Sequence, residues 1–387
     1  MTACIVGWSH TKFGKHEDLD VESLITDVTL GALADAGVAP ADVDEIYLGM
    51  FNGGFVRQEF PSSLVLQAHE DLRFKPATRL ENACATGSAA IYQGLNAIEA
   101  RKARIVLVVG VEKMTELAGA AIGEVLSKAS YLKEESDNGS FADIFARIAE
   151  GYFQKHGDQS DALARIAAKN HKNGSVNSLA HFQKDLGYEF CRNPSDKNPL
   201  IAGPLKRTDC SPVTDGAAAL VLTDVETALT MDKAVVFRAA EHVNEFLPMS
   251  RRDVTRFEGA ERAFAQAFES SSTKLDDFSF MEVHDCFTIA ELVIYEAMGL
   301  TPHGEGARAI LEGWTEKDGK LPINPSGGLK SKGHPIGATG VSMHVMAAMQ
   351  LHGSAGAIQV PDASLAGVFN MGGSAVANYA SVLEPLR

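Results

Sequence analysis

The sequence predicts an α/β fold made of two related halves, and three observations carry that expectation. Apolar runs of strand length alternate with helix-period segments, three fragments recur in the same order early and late in the chain, and a stretch of different character interrupts the first half. With 387 residues the chain is too long for one ordinary core, so several packed units are expected. Hydrophobic residues make up 45% and charged residues 22%, which excludes wholesale disorder or a fibrous repeat. Fifty acidic against 35 basic residues leave a net charge of -15, which repels polyphosphate backbones and argues against nucleic-acid binding. An anionic ligand would therefore need a locally basic site.

In chain order, Ala3 to Gly7 reads as a short buried strand. Val21 to Ala36 has apolar residues at near-helical spacing, with Gly37 as a natural stop. Glu45 to Met50 reads as a strand leading into the loop at Asn52 to Gly54. A helix over Gly87 to Ala100 precedes Arg104 to Gly110, an uninterrupted apolar run expected to be a fully buried strand. The recurrences then appear. Ala32 to Leu48 resembles Ala263 to Val283, Ala85-Thr86-Gly87 resembles Ala338-Thr339-Gly340, and Asp215 to Leu222 resembles Gly372 to Ala377. Between the first half's long strand and Asp215 lies the different segment, with a polar run at Lys133 to Ser140, helical patterning from Phe141 to Gln154 and a polar, asparagine-rich stretch from Lys169 to Asn177. The expected division is residues 1–112 completed by 209–232 as the first half, 113–208 as an inserted loop or lid domain, and 233–387 as the second half. Substrate is expected where the halves and the insert meet.

No run approaches the roughly 18 apolar residues of a membrane span, and the apolar opening is too short for a signal-peptide core. Five cysteines without paired spacing fit a reducing compartment. Leu383 to Arg387 carries no peroxisomal address, so cytoplasmic residence is expected, and the absence of an appended carrier domain argues against lipid carriage.

Four segments carry candidate chemistry. Cys84 precedes a predicted helix, where unpaired N–H groups and the positive dipole end favour a thiolate; a small buried apolar cysteine is the other reading. His284, Asp285 and Cys286 follow a predicted strand, where active-site loops leave an α/β sheet, although His284 satisfying backbone carbonyls and Cys286 filling core would read the same way. No second ligand pair at a familiar spacing accompanies them, so no metal is expected. His334 closes the loop Asn324 to Gly340, dense in glycine, serine and proline and followed by a helix. That loop is either an ordinary connector or an anion cradle, with Lys330 and Lys332 as local positive charge; it lacks Walker and dinucleotide spacing. Phe369 to Ser374 contains adjacent glycines whose N–H could pair with that of Cys84 as an oxyanion hole.

Together these segments resemble the thiolase family, and within it the sterol-carrier-protein-linked branch. The resemblance spans most of the chain and is strongest from Glu282 onward, in His284-Asp285-Cys286-Phe287, the Asn324 to Gly340 loop and Asn370-Met371-Gly372. Many thiolases carry asparagine-glutamate-alanine where His284 begins its motif and a cysteine where Asn370 stands; here the second cysteine has moved to position 286. The resemblance implies a duplicated five-layered α-β-α-β-α core with a loop domain, no permanently bound cofactor, and coenzyme A and acyl-CoA as substrates. It implies that Cys84 is the nucleophile of reversible 3-oxoacyl-CoA cleavage or acetyl-CoA condensation, His334 its activator, and Cys286 the acid–base at the α-carbon. His284 would stabilise the enolate oxygen with His334, and the N–H groups of Cys84 and Gly372 would hold the tetrahedral oxyanion. Ser326, Gly327 and Gly328 are expected along pantetheine, and Lys206 and Arg207 are candidate phosphate contacts. A homodimer or homotetramer is implied. Rival readings are a decarboxylative condensing enzyme, disfavoured by Cys286; a steroid side-chain retro-aldolase working with a small accessory protein, disfavoured by the intact Cys84 segment; and a non-catalytic acyl-CoA-binding subunit of an acyltransferase complex.

Overall fold

The computed structural model describes residues 3–135 and 139–386. Its frame is a nine-stranded mixed sheet built from strands β1 (Ala3–His10), β2 (Glu45–Gly49), β3 (Ala77–Leu80), β4 (Ile105–Glu112), β7 (Gly216–Asp224), β8 (Val235–Asn244), β9 (Phe280–Val283), β10 (Ala366–Gly372) and β11 (Ala377–Pro385), in the order β3-β2-β4-β7-β1-β8-β11-β10-β9. A two-stranded hairpin, β5 (Leu200–Ala202) with β6 (Leu205–Lys206), stands apart. The duplication is visible in the pairing. From β1 outward the neighbours are antiparallel, antiparallel, then parallel through β7, β4 and β2. From β8 outward they follow the same sequence through β11, β10 and β9. The halves meet where β1 pairs β8 over only Cys4↔Val236 and Ile5↔Val235.

The recurring fragments occupy equivalent places. Helix Val21–Ala36 packs on β1, β4 and β7, and helix Glu258–Ser271 packs on β8 and β11, so each covers the outer face of its own half. The first ends where expected, with Gly37 in the left-handed region at φ 65° accepting no side-chain penalty. Helices Thr86–Glu99 and Ile336–Leu351 fill the middle, touching each other and strands of the frame. They approach closely because both carry the recurring Ala-Thr-Gly: a Cβ on Gly87 would lie 2.7 Å from the Val341 backbone nitrogen, and one on Gly340 2.3 Å from that of Ser88. Outer helices, the mixed sheet and the paired middle helices make up the layers.

The segment between β4 and β7 stays outside the frame and carries helices Ala120–Ser127, Phe141–His156 and Ser160–Gly174. The polar run at Lys133 to Ser140 includes residues 136–138, which lie outside the described residues. The polar stretch beginning at Lys169 is a helical continuation, and Lys169, Asn170, His171 and Asn173 are buried. Among the described residues no helix is long and apolar enough to cross a membrane.

Candidate active site

Cys84 sits on the turn between β3 and helix Thr86–Glu99. The Ala85 N–H bonds the Asn82 carbonyl at 3.0 Å, the Thr86 N–H bonds that of Ala83 at 3.1 Å, and Ala83 itself takes φ 49°, a costly conformation for a residue with a Cβ. The Thr86 hydroxyl closes the turn by accepting from the Asn82 N–H at 2.8 Å. This geometry turns the thiol out of the strand and toward the second half. The backbone N–H groups facing the sulfur are those of Gly373 and of Cys84 itself. Gly372 is in register with Ala377 on the β10–β11 ladder, and Gly373, at φ 63°, turns out of it. Gly372 allows close approach, since a Cβ there would lie 2.4 Å from the Asn82 carbonyl oxygen.

The extended residues after β9 alternate sides. His284 and Cys286 face Cys84, while the Asp285 carboxylate points back into the protein, accepting from the N–H groups of Leu329 at 2.6 Å and Lys330 at 3.2 Å and from Asn170 Nδ2 at 2.7 Å. His334 lies at the start of helix Ile336–Leu351, its Nδ1 2.6 Å from the Thr339 hydroxyl, which in turn donates to the Pro335 carbonyl at 2.9 Å. Cys84 Sγ and one ring nitrogen each of His284 and His334 all lie within 4.8 Å of one another, and the two rings meet edge to face with centroids 5.1 Å apart. Cys84, Cys286 and His334 line a cavity of about 170 Å³ whose other walls are largely apolar, among them Phe51 and Ala83 from the first half and Met114, Leu126 and Phe141 from the insert. Halves and insert therefore meet at this cavity.

Burial sets the charge state. It pushes the Cys84 thiol from 9.0 up to about 12, outweighing the N–H groups around it, with the Glu112 and Glu81 carboxylates adding to the rise. Burial of the sulfur thus works against the thiolate that a helix terminus favours. Burial, then the neighbouring thiol of Cys84 and the Asp285 carboxylate, raises Cys286 well above its usual value. Burial and Lys332 lower His334 to about 3, and burial and His334 hold His284 well below 6.5. The resting site thus holds two thiols and His334 as a neutral imidazole at the cavity, with neutral His284 behind them.

Several expected ligand contacts are placed elsewhere. Ser326 gives its hydroxyl to Glu282 at 2.6 Å, a Cβ on Gly327 would lie 2.5 Å from the Gly174 Cα, and one on Gly328 would lie 2.3 Å from the Asp285 carboxylate. All three are buried in the joint between insert and second half, and none lines the cavity. Lys206 is 3% exposed and ion-paired with Asp209 at 2.7 Å, so its charge is already neutralised; Arg207 remains exposed. Lys330 and Lys332 are likewise buried, holding the Cys210 carbonyl and the Ser342 hydroxyl.

Sequence reading missed the residues that hold these groups in place. Lys169 pairs with Glu291 at 2.8 Å with both side chains fully buried, and Asn170 spans Asp285 and Glu291. Glu112 accepts the N–H groups of Phe51, Asn52 and Gly337, tying the first half to the helix behind His334. Asn370 touches both Cys84 and His284. A polar stretch at helical spacing was the available signal for the insert's residues; nothing local marks the others.

The family model for Thiolase, N-terminal domain, matches residues 3–189, and that for Thiolase C-terminal domain-like matches residues 240–385. An acetyl-CoA acetyltransferase of Methanothermobacter thermautotrophicus is 37% identical over 374 residues, covering 96% of each chain. Sterol carrier protein 2 of Bos taurus is 32% identical over 387 residues, covering 95% of this chain and 69% of that one. Among solved structures, the Ltp2-ChsH2(DUF35) aldolase superposes with a TM-score of 0.85 at 21% identity over 100% of this chain and 98% of that one, a likeness of fold. With both halves matched along their length and the duplicated frame in place, the chain belongs to the thiolase family.

Proposed function

We propose that this thiolase-type acyltransferase cleaves 3-oxoacyl-CoA with CoA, and in reverse condenses an acyl group with acetyl-CoA, through an acyl-Cys84 intermediate. The observation that supports this reading most is the convergence of Cys84, Cys286 and His334 on one largely apolar cavity, with His284 beside them. The Cys84 proton passes to His334 as the sulfur attacks the keto carbon, so charge develops only during the reaction. The oxyanion formed faces the N–H groups of Cys84 and Gly373. Breaking the bond between the α-carbon and the keto carbon leaves the acyl group on Cys84 and an acetyl-CoA enolate, which takes a proton from the Cys286 thiol while His284 and His334 face its oxygen. The Cys286 thiolate then deprotonates incoming CoA, whose sulfur takes the acyl group and releases Cys84, which takes its proton back from His334.

CoA and acyl-CoA are substrates in this reading, with no resident cofactor, and exposed Arg207 is the remaining candidate for a phosphate contact. Assembly as a homodimer or homotetramer is supported by the outer edge of β3, beside which Phe60 and Phe74 are 75% and 84% exposed. Residence in the cytoplasm, and a small accessory protein as a further partner, belong to the same proposal.

The test is incubation with acetoacetyl-CoA and longer 3-oxoacyl-CoAs plus CoA, following substrate loss and the mass of the Cys84 peptide. An acyl adduct is expected on Cys84 and none in Cys84→Ser. Cys286→Ala should still acylate from a simple thioester but form no carbon–carbon bond. Condensation by that variant at the wild-type rate would overturn the assignment of Cys286.

A further inference from the structure

We infer that Asn370 is a positioning residue that locks His284 in the tautomer carrying its proton on Nε2, so that this nitrogen, beside the reactive groups, can only donate a hydrogen bond. The donor role rests on the function proposed above; the tautomer does not.

The argument runs from hydrogen-bond capacity. The Cys84 carbonyl can only accept, and Asn370 Nδ2 lies 3.2 Å from it. The Ser88 hydroxyl lies 2.8 Å from Asn370 Oδ1. These two partners fix which end of the amide is which. Nδ2 also lies 2.9 Å from His284 Nδ1, so its second proton points at that nitrogen, which must present a lone pair. A neutral imidazole with an acceptor at Nδ1 carries its hydrogen on Nε2. His284 is neutral because it is fully buried beside His334. Its Nε2 is buried and has no hydrogen-bond partner among the described residues, as expected of a donor kept for a reacting oxygen.

His334 has the opposite arrangement. The Thr339 hydroxyl spends its hydrogen on the Pro335 carbonyl, so it accepts from Nδ1–H of His334 and leaves Nε2 as the base. Two adjacent histidines are thus assigned different work by the groups behind them. The same lock bears on metal binding: Cys84, His284 and His334 are close enough to share an ion, yet a protonated Nε2 offers it no lone pair. Gly340 leaves room for the lock, since a Cβ there would lie 2.6 Å from Asn370 Oδ1.

The experiment is long-range proton–nitrogen correlation on the full chain labelled with ¹⁵N-histidine, the His284 signals being assigned as those lost in His284→Asn. The wild type should show the Nε2–H form with Nδ1 as acceptor. In Asn370→Asp a carboxylate replaces the donor, and His284 should switch to Nδ1–H. A wild-type spectrum showing Nδ1–H or a cation overturns the inference without any variant, and so does an Asn370→Asp protein, shown folded by its remaining histidine signals, that keeps Nε2–H. If Asn370→Asp does not fold, Asn370→Ser serves: its signal at His284 Nδ1 should lose the shift of a hydrogen-bonded acceptor, and an unchanged shift overturns the inference. Failure of the functional reading would appear separately, as absence of acyl-Cys84 in the wild type.

Discussion

Alkylation of Cys84 by iodoacetamide should accelerate about tenfold for each pH unit and reach no plateau in the neutral range. The perturbation is pH alone. A thiol raised from 9.0 to about 12 is uncharged throughout the working range. At about pH 8 the thiolate fraction is roughly one part in ten thousand, about a thousandfold below that of a solvent-exposed cysteine. The sign follows from the cause. Burial penalises the charged form, so the folded protein holds the proton over about three pH units in which an ordinary thiol would lose it. A preformed thiolate–imidazolium pair is opposed from the other side as well, because His334 is lowered to about 3 by burial and by Lys332. The assay is peptide mass spectrometry of Cys84 after timed exposure between about pH 6 and about pH 10, with His334→Asn to remove the route in which His334 assists. A rate that levels off below about pH 8 in wild type, together with ultraviolet thiolate absorbance at the same pH that Cys84→Ser abolishes, would refute the reasoning and establish an ion pair in the resting enzyme.

Gly87→Ala should lower the urea midpoint by the equivalent of about 1–3 kcal/mol or more, because its Cβ would meet main-chain atoms of Val341 and Gly337 at 2.7 and 2.9 Å; an unchanged midpoint would mean the two middle helices can separate freely. Thr339→Val removes the acceptor for His334 Nδ1–H and should lower kcat/KM roughly tenfold or more while costing about 1–3 kcal/mol of stability, and wild-type kcat/KM would show that His334 is held by something else. Lys206→Ala leaves the buried Asp209 carboxylate without its ion-pair partner and should cost about 3–5 kcal/mol with KM for acyl-CoA unchanged in the folded protein; a raised KM at wild-type stability would return Lys206 to the phosphate site.

The fate of individual residues shows what local pattern can report. The buried strand at Ile105–Glu112 and the helix stop at Gly37 were readable because each depends on neighbours in sequence: apolar continuity in one case, a positive φ in the other. The resemblance singled out Cys84, His284, Cys286 and His334, and the fold brings them to one place. Ser326 to Gly328 misled because glycine density signals close approach without saying to what, and here the neighbours are Gly174 and Asp285. Lys206 misled because a cation's availability depends on its partner, and Asp209 already holds it.

From its residues alone the chain declared its alternating strands and helices, its duplicated order and the side chains able to react. The charge state and hydrogen-bond partners of those side chains were decided only by tertiary structure. Those properties come from desolvation and from partners remote along the chain, such as Asn170 and Asp285, separated by 115 positions, or Asn370 and Cys84, separated by 286. Periodicity senses neighbours a few residues away; a proton responds to whatever the fold has placed within about 3 Å.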